Sequence, residues 1–210
     1  GAGKSTLIKI LGGVYQPDAG TVEVNNYTTS FRSPHEAQRA GVSIVHQEHT
    51  LVPYMTVAEN ILLGDESRNA VGLVSAKRNH ERARDILRSI GCEIGTGEIV
   101  ANLNSTRQKL VEIAKALALK PSILVVDEPT ASLGTQETEL FFNALNDLRT
   151  SGVSIVYISH LLDEIFRIAD RVTVLKDGKL VATKDTAATE ADELIRLMIG
   201  REVGDLFPEK

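Results

Sequence analysis

The residues with the clearest chemical meaning stand at the start of the chain. Gly1-Ala2-Gly3-Lys4-Ser5-Thr6 is the second half of a phosphate-binding loop of the pattern G-x-x-x-x-G-K-[ST], with Gly3 as its second glycine. Glycines let backbone N–H groups turn inward around phosphate oxygens. Lys4 is placed for the outer phosphates and the Ser5 hydroxyl for Mg2+, and the helix that follows aims its N-terminus at the anion. A second cluster closes an apolar run: Ile123-Leu124-Val125-Val126 leads into Asp127-Glu128-Pro129. Asp127 suits water-mediated Mg2+ binding, and Glu128, one residue further on, suits polarising an attacking water. Pro129 is expected to keep Glu128 in an extended conformation. Gln47 follows an apolar strand at 42–45, and His160 follows another at 153–158. A polar residue just past a buried parallel strand faces the ligand-binding edge of such a sheet. Gln47 is thus a candidate ligand for Mg2+ or the attacking water, and His160 a candidate hydrogen-bond partner for a terminal phosphate. Each signal alone has a plainer reading, as a Gly-rich turn, a solvated strand end or a satisfied polar side chain. Together they argue for one site. His46, His49 and Cys92 carry no such pattern.

The elements that must position these residues alternate. Helical spacing at Leu7, Ile8 and Leu11 is stopped by Gly12-Gly13. The turn cluster at 16–20 precedes a strand at 21–24, and a short polar helix at 34–40 precedes the strand at 42–45. From about 56 to 120 the texture changes to helical spacing with few β-branched runs: helices at 57–63, at 76–90 with an Arg-rich face, and at 105–119. The last third returns to alternation. A fully apolar strand at 122–126 reads as covered on both faces, and a second buried strand spans 153–158. Helices fall at 136–149, 161–168 and 190–199, and Asp177-Gly178 marks a hairpin between 172–175 and 180–182. The pattern is a βα-alternating sheet domain interrupted by an all-helical insertion.

Composition narrows the function. With 210 residues, 42% apolar and 24% charged, the chain fits one α/β domain carrying a small subdomain. Aromatics at 4% and no Trp argue against stacking platforms for single-stranded nucleic acid, and a net charge of −5 argues against wholesale phosphate-backbone binding. The single cysteine, Cys92, has no partner in the chain for a disulfide, which suits a reducing compartment. No apolar run approaches the roughly 18 residues that cross a bilayer. The chain opens inside a motif without an initiator Met, and the expectation is a fragment whose true N-terminus is missing.

Taken in order, the phosphate loop, Gln47, a helical insert, Asp127-Glu128 and His160 resemble the ATP-binding subunits of ABC transporters, over essentially the whole chain. The likeness is nearest to ATPases of bacterial monosaccharide importers of the ribose, xylose and galactose type. It is carried by Ile44–Glu48, Met55–Ile61, Val111–Leu117, Asp127–Leu133, Val156–His160, Asp163–Phe166 and Ala169–Leu175. Met198–Glu202 resembles the close of the first of two tandem ATPase domains. The resemblance implies an α/β P-loop NTPase fold of RecA-like, ABC ATPase type. Its core would be 1–50 and 121–203 with upstream strands missing, its helical signature subdomain 51–120, and 204–210 the start of a connector to a second ATPase domain.

The same resemblance implies ATP and Mg2+, held by Gly1, Ala2, Gly3, Lys4, Ser5, Thr6 and Asp127, with Ser5, Gln47 and Asp127 as metal ligands. Glu128 would be the general base, His160 the γ-phosphate switch, and Gln47 the link between Mg2+ and the helical insert. Implied partners are membrane-spanning permease subunits, a second ATPase domain in the same chain or a dimer, and, indirectly, a periplasmic or extracellular solute-binding protein, with no nucleic acid. The implied location is peripheral, on the cytoplasmic face of the cell membrane.

The departure lies at the signature, typically L-S-G-G-Q, which contacts ATP on the facing domain. Here it reads Leu103-Asn104-Ser105-Thr106-Arg107-Gln108. Asn104 replaces a serine, and the β-branched Thr106 replaces a glycine that permits close approach to phosphate. Two unequal ATP sites are therefore expected, with this chain's own phosphate loop and Glu128 intact. Gly134, where many relatives carry Asp, is a lesser departure. Tyr15 is the nearest candidate for an adenine-stacking aromatic and is expected only to pack. A GTPase would need an N-K-x-D motif, which is absent, and DNA- or ribosome-directed ABC proteins carry coiled-coil or basic insertions, also absent. A nucleotide-binding regulatory half without useful turnover remains the main alternative, and a nucleoside or other small polar solute the alternative cargo.

Overall fold

The strand β4 (Ile123–Asp127) is the centre of the molecule. The computed structural model describes residues 2–25, 27–46, 50–69, 71–131 and 133–199, with no side-chain description at 27–29 and 199. Leu124, Val125 and Val126 are completely buried, as a strand covered on both faces requires. Leu124 and Val126 point into one core and Val125 into another. β4 pairs in parallel with β3 (Val42–Val45) on one side and β5 (Ser154–Ile158) on the other. The register sets Val45 opposite Val126 and Asp127 opposite Ile158, so all three strands end at one edge of the sheet. His46, Glu128 and Ser159 are the first residues beyond that edge.

The smaller core is formed by α1 (Lys4–Leu11), β1 (Val22–Val24) and α2 (Pro34–Arg39), through Ile8, Val24, Phe31 and Ala37 against Val42 and Val125. Strand β1 pairs antiparallel with β2 (Tyr27–Thr29), an element the sequence reading did not anticipate. Asn25, at φ +52, makes the turn, and Asn is among the residues that tolerate that conformation. The described residues of 51–120 contain no paired strand of the sheets and hold α3 (Val57–Ile61), α4 (Ala76–Ser89) and α5 (Ser105–Ala118). α3 starts on a capping box, with the Glu59 backbone N–H donating to the Thr56 hydroxyl and the Thr56 backbone N–H to the Glu59 carboxylate. Asn60, wholly buried, is satisfied by accepting from the Val52 N–H and donating to carbonyls at Val52 and Thr56. The larger core runs from these helices onto the sheet, where α5 packs on β3 and on α6 (Thr135–Thr150).

Beyond β5 come α7 (Leu162–Ile168), the hairpin β6 (Arg171–Lys176) and β7 (Lys179–Asp185), and α8 (Ala191–Ile199). Asp177 and Gly178, at φ +48 and +74, close the hairpin as a turn that matches strand twist. β5 differs from its expected burial. Ser154 and Val156 are exposed and Ile155, Tyr157 and Ile158 only half-buried, because β4 is its sole paired neighbour among the described residues. A groove of about 1050 Å3 opens between β5 and β6, lined among others by Ile8, Ile155, Tyr157, Val172 and Val174. Ala2 and Lys4 also line it.

Candidate functional site

The site is assembled where the three parallel strands end. The phosphate loop reaches it through Gly3, whose φ of +91 is a left-handed conformation open to glycine. A Cβ on Gly3 would sit 3.2 Å from the Gly178 Cα, and the Gly178 N–H donates to the Ala2 carbonyl at 3.2 Å, so the β6–β7 turn buttresses the loop. From there Lys4 starts α1 and its Nζ lies 2.8 Å from Glu128 Oε1. Ser5 and Thr6 are exposed on the first turn of α1. Gly1 lies outside the described residues.

Glu128 is the point of convergence. His160 Nδ1 lies 3.4 Å from the same Oε1. The Lys4 hydrogen bond is the leading cause that holds the Glu128 carboxyl below its ordinary range; partial burial opposes it, and the Lys4 charge and His160 add to the lowering. Asp127, half-buried at the strand end, is pushed the other way, by burial first and the adjacent Glu128 second, against Lys4, His46 and Lys109. Adjacent carboxyls with opposed shifts divide roles between themselves. The backbone of Glu128 is not extended as expected from Pro129: its φ is +41. Its N–H donates to the Ile158 carbonyl at 2.9 Å, and the left-handed turn swings the chain off the sheet. A positive φ in a non-glycine residue is uncommon and gathers at functional sites.

Gln47 lies outside the described residues, but the chain on both sides of 47–49 is held. The Lys109 ammonium on α5 donates to the His46 carbonyl at 2.8 Å and to Glu112 Oε2 at 2.7 Å, and Glu112 Oε1 accepts from the Thr50 N–H at 3.0 Å. The pair is almost fully buried, with side chains 5% and 2% exposed. Sequence reading missed it; the available signal was two opposite charges three apart on an otherwise buried stretch of helix. It also missed Glu164, on the first turn of α7, which accepts hydrogen bonds from Thr130, Tyr157 and Ser159. Burial first, and then the Glu164 carboxylate, push the Tyr157 phenol up, while Thr130 acts against them.

The stretch expected to be the signature forms the start of α5. Asn104 is its N-cap, and the Asn104 Oδ1 accepts from the Arg107 N–H at 2.9 Å. Leu103 is buried, and Ser105 opens the helix. The Gln108 amide donates to the carbonyls of Val100 and Leu103. Arg107 faces Glu98 at 3.7 Å. Thr106 is 3% exposed, its hydroxyl buried without a well-formed hydrogen bond but close enough to help hold Glu137 below its usual range. Tyr15 is half-exposed with the Lys9 ammonium 5.1 Å from its ring centroid. Among the described residues no group of three or more His, Cys, Asp or Glu forms a metal cluster. No helix among them is long and apolar enough to cross a membrane.

The ABC transporter family model matches residues 1–131, which takes in the phosphate loop, α5 and the Asp127–Glu128 strand end. The chain belongs to the ABC transporter family. Relatives of this ABC-family chain include a ribose import ATP-binding protein of Rubrobacter xylanophilus, 46% identical over all of this chain and 42% of the relative. Another is a putative ribose/galactose/methyl galactoside import ATP-binding protein of Agrobacterium fabrum, 46% identical over all of this chain and 41% of the relative. The chain thus spans about two fifths of the length of the curated relatives it matches. Among solved structures, the ADP conformation of an ATP-binding cassette of an ABC transporter superimposes with a TM-score of 0.81 at 26% identity, covering 95% of this chain and 84% of that one. A nucleotide-free cassette superimposes at 0.78, also at 26% identity, covering 99% of this chain and 85% of that one. The fold is therefore the α/β P-loop NTPase fold of ABC cassettes, as the motif order implied.

Proposed function

We propose that this chain is the ATP-binding and ATP-hydrolysing part of an importer for a monosaccharide. The observation that carries the reading is the meeting of Lys4 and His160 on one oxygen of Glu128, beside Asp127, at the mouth of the phosphate loop. Lys4 would exchange Glu128 for the outer phosphates of ATP, which leaves the Glu128 carboxylate to orient and deprotonate the attacking water. His160 would hydrogen-bond the γ-phosphate. Ser5, Asp127 and Gln47 offer the oxygen donors that Mg2+ prefers, and Gly1, Ala2, Gly3 and Thr6 would supply the rest of the phosphate loop. Bound Mg2+ would neutralise charge developing on the phosphates.

The core would comprise 1–50 and 121–203, with 51–120 as the helical subdomain and 204–210 leading to a second ATPase domain. The flank of β5 that has no paired strand among the described residues would suit a further strand. Sugar cargo is inferred from the ribose and galactose relatives, and with it docking on permease subunits at the cytoplasmic membrane face and indirect service to a solute-binding protein.

A second reading is favoured by one observation: Thr106 is buried at the signature and Asn104 is engaged as a helix cap. The ATP site that this signature completes on the facing domain would then turn over poorly, and the two sites would be unequal. Steady-state ATP hydrolysis by the complete protein separates the readings, comparing wild type, Glu128→Gln and the matching change in the other half. Loss of turnover only with Glu128→Gln supports this half as the working site. Turnover that survives Glu128→Gln makes this half a regulatory nucleotide binder.

A further inference from the structure

We propose that Glu164 is a positioning residue that sets the geometry between His160 and Glu128, an inference that rests on the ATPase reading for its kinetic consequence but not for its geometry. Glu164 is 8% exposed and belongs to α7, yet its carboxylate reaches two other segments, the loop after β4 and the end of β5. Oε1 accepts from the Thr130 hydroxyl at 2.5 Å; Oε2 accepts from the Ser159 hydroxyl at 2.7 Å and the Tyr157 phenol at 2.9 Å.

Two of these contacts flank the site directly. The Ser159 hydroxyl also accepts from the Leu161 N–H at 3.0 Å, so one side chain ties down the backbone on both sides of His160. Thr130, itself buried, stands two residues past Glu128, whose N–H is fixed by the Ile158 carbonyl. The His160 side chain is 59% exposed, and its contact with Glu128, at 3.4 Å, is long. Its position is inherited from the backbone that Ser159 and Glu164 fix.

The chemistry needs a carboxylate. It is an acceptor at both oxygens, whereas a glutamine presents one oxygen and one N–H2 group. In either orientation the amide turns a donor toward hydroxyls that now donate, and at least one of them must reverse. Ser159 has the least freedom, because it already accepts from Leu161.

The test is a double-mutant cycle in the complete protein with ATP. Glu164→Gln should lower kcat by about 10–100-fold, the scale of a small misplacement near the reacting atoms, with ATP affinity unchanged. In a His160→Ala background the same change should cost less than about twofold, since coupled residues are non-additive. Full multiplication of the two effects overturns the proposal. A second readout does not require turnover. In ring ¹H–¹⁵N spectra of the complete protein, His160→Ala assigns the signal of interest. Glu164→Gln should move the His160 ring signals and leave the others in place. Unmoved His160 signals in a folded variant overturn the proposal even if ATP is hydrolysed. Moved signals in a protein that never hydrolyses ATP support it while removing the ATPase reading. If Glu164→Gln unfolds the protein, Ser159→Ala cuts one arm, leaves the carboxylate partnered, and carries the same criteria.

Discussion

Replacing Lys109 by methionine separates a buried charge pair from the many exposed ones. Lys109 and Glu112 are 5% and 2% exposed, 2.7 Å apart, and also hold the His46 carbonyl and the Thr50 N–H. Lys109→Met keeps the stem and removes the ammonium 2.7 Å from Glu112 Oε2, so the buried carboxylate loses that charge-assisted contact. Breaking a buried pair in this way costs about 3–5 kcal/mol. For a chain of this size each kcal/mol lowers Tm by about 2–4 °C, so the expected fall is about 6–20 °C. The reference is Lys184→Met. Lys184 pairs with Glu193 at 2.8 Å, but the two side chains are 44% and 43% exposed. An exposed pair is worth about 0–1 kcal/mol, hence a fall of no more than about 4 °C. Adding Glu112→Gln to Lys109→Met should recover much of the loss, because the amide oxygen still accepts from Thr50 and the buried charge is gone. Thermal unfolding of the four proteins at one pH and salt decides the matter. Equal falls for Lys109→Met and Lys184→Met, or no recovery in the double variant, would refute the argument that burial makes the difference.

Three further outcomes follow from the same geometry. Gly3→Ala combines a left-handed φ with a Cβ at 3.2 Å from the Gly178 Cα, and should destabilise the protein by about 1–3 kcal/mol and weaken nucleotide binding, read by thermal unfolding and ATP titration. Lys4→Met removes the leading cause that depresses the Glu128 carboxyl, so Glu128 should titrate at higher pH, as carboxyl NMR would report. Because the folded Glu128 value lies below the unfolded one, its contribution to stability is present above the unfolded carboxylate range and lost as pH falls through the folded value. The stability gap between wild type and Lys4→Met should therefore shrink in acid, and a gap that widens there counts against the pairing. Thr56→Ala removes one half of the capping box on α3 and should cost about 1 kcal/mol in urea unfolding.

Much of the fold was legible because local signals agreed with the tertiary outcome. The apolar run before Asp127 could be read as a doubly covered strand since nothing but burial explains four such residues ending in two carboxylates. Asp177-Gly178 announced its hairpin, and helix ends fell near their Gly and capping residues. β2 was missed because three residues are too few for a period to show, and only the Asn25-Asn26 turn signal preceded it. The burial of β5 was misjudged for a different reason. An apolar strand records what it is fitted to pair with, while exposure reports which neighbours are present.

The residues of the candidate site could be picked out one by one, but their connections could not. Lys4, Asp127, Glu128 and His160 announce themselves through motif and position, and parallel register brings the last three to one edge. Nothing in the spacing of Glu164 distinguishes it from any acidic residue in the first turn of a helix, where a carboxylate favours the dipole. Its role emerges only when the end of β5 and the loop after β4 are brought beside α7. Lys109 and Glu112 read as an ordinary helix pair until β3 ends against them. The two hubs share a logic. Each is a buried carboxylate on a helix packed against the sheet, and each fixes backbone next to a residue expected to meet phosphate or its metal without reaching the ligand itself. α5 carries this furthest. Its first turn holds Asn104 to Gln108, its second and third turns hold Lys109 and Glu112, and a shift of the helix would move the capped signature end and the His46 and Thr50 shoulders together. In the proposed ATPase reading, this one helix would link the stretch expected to face a second nucleotide site with the segments flanking Gln47.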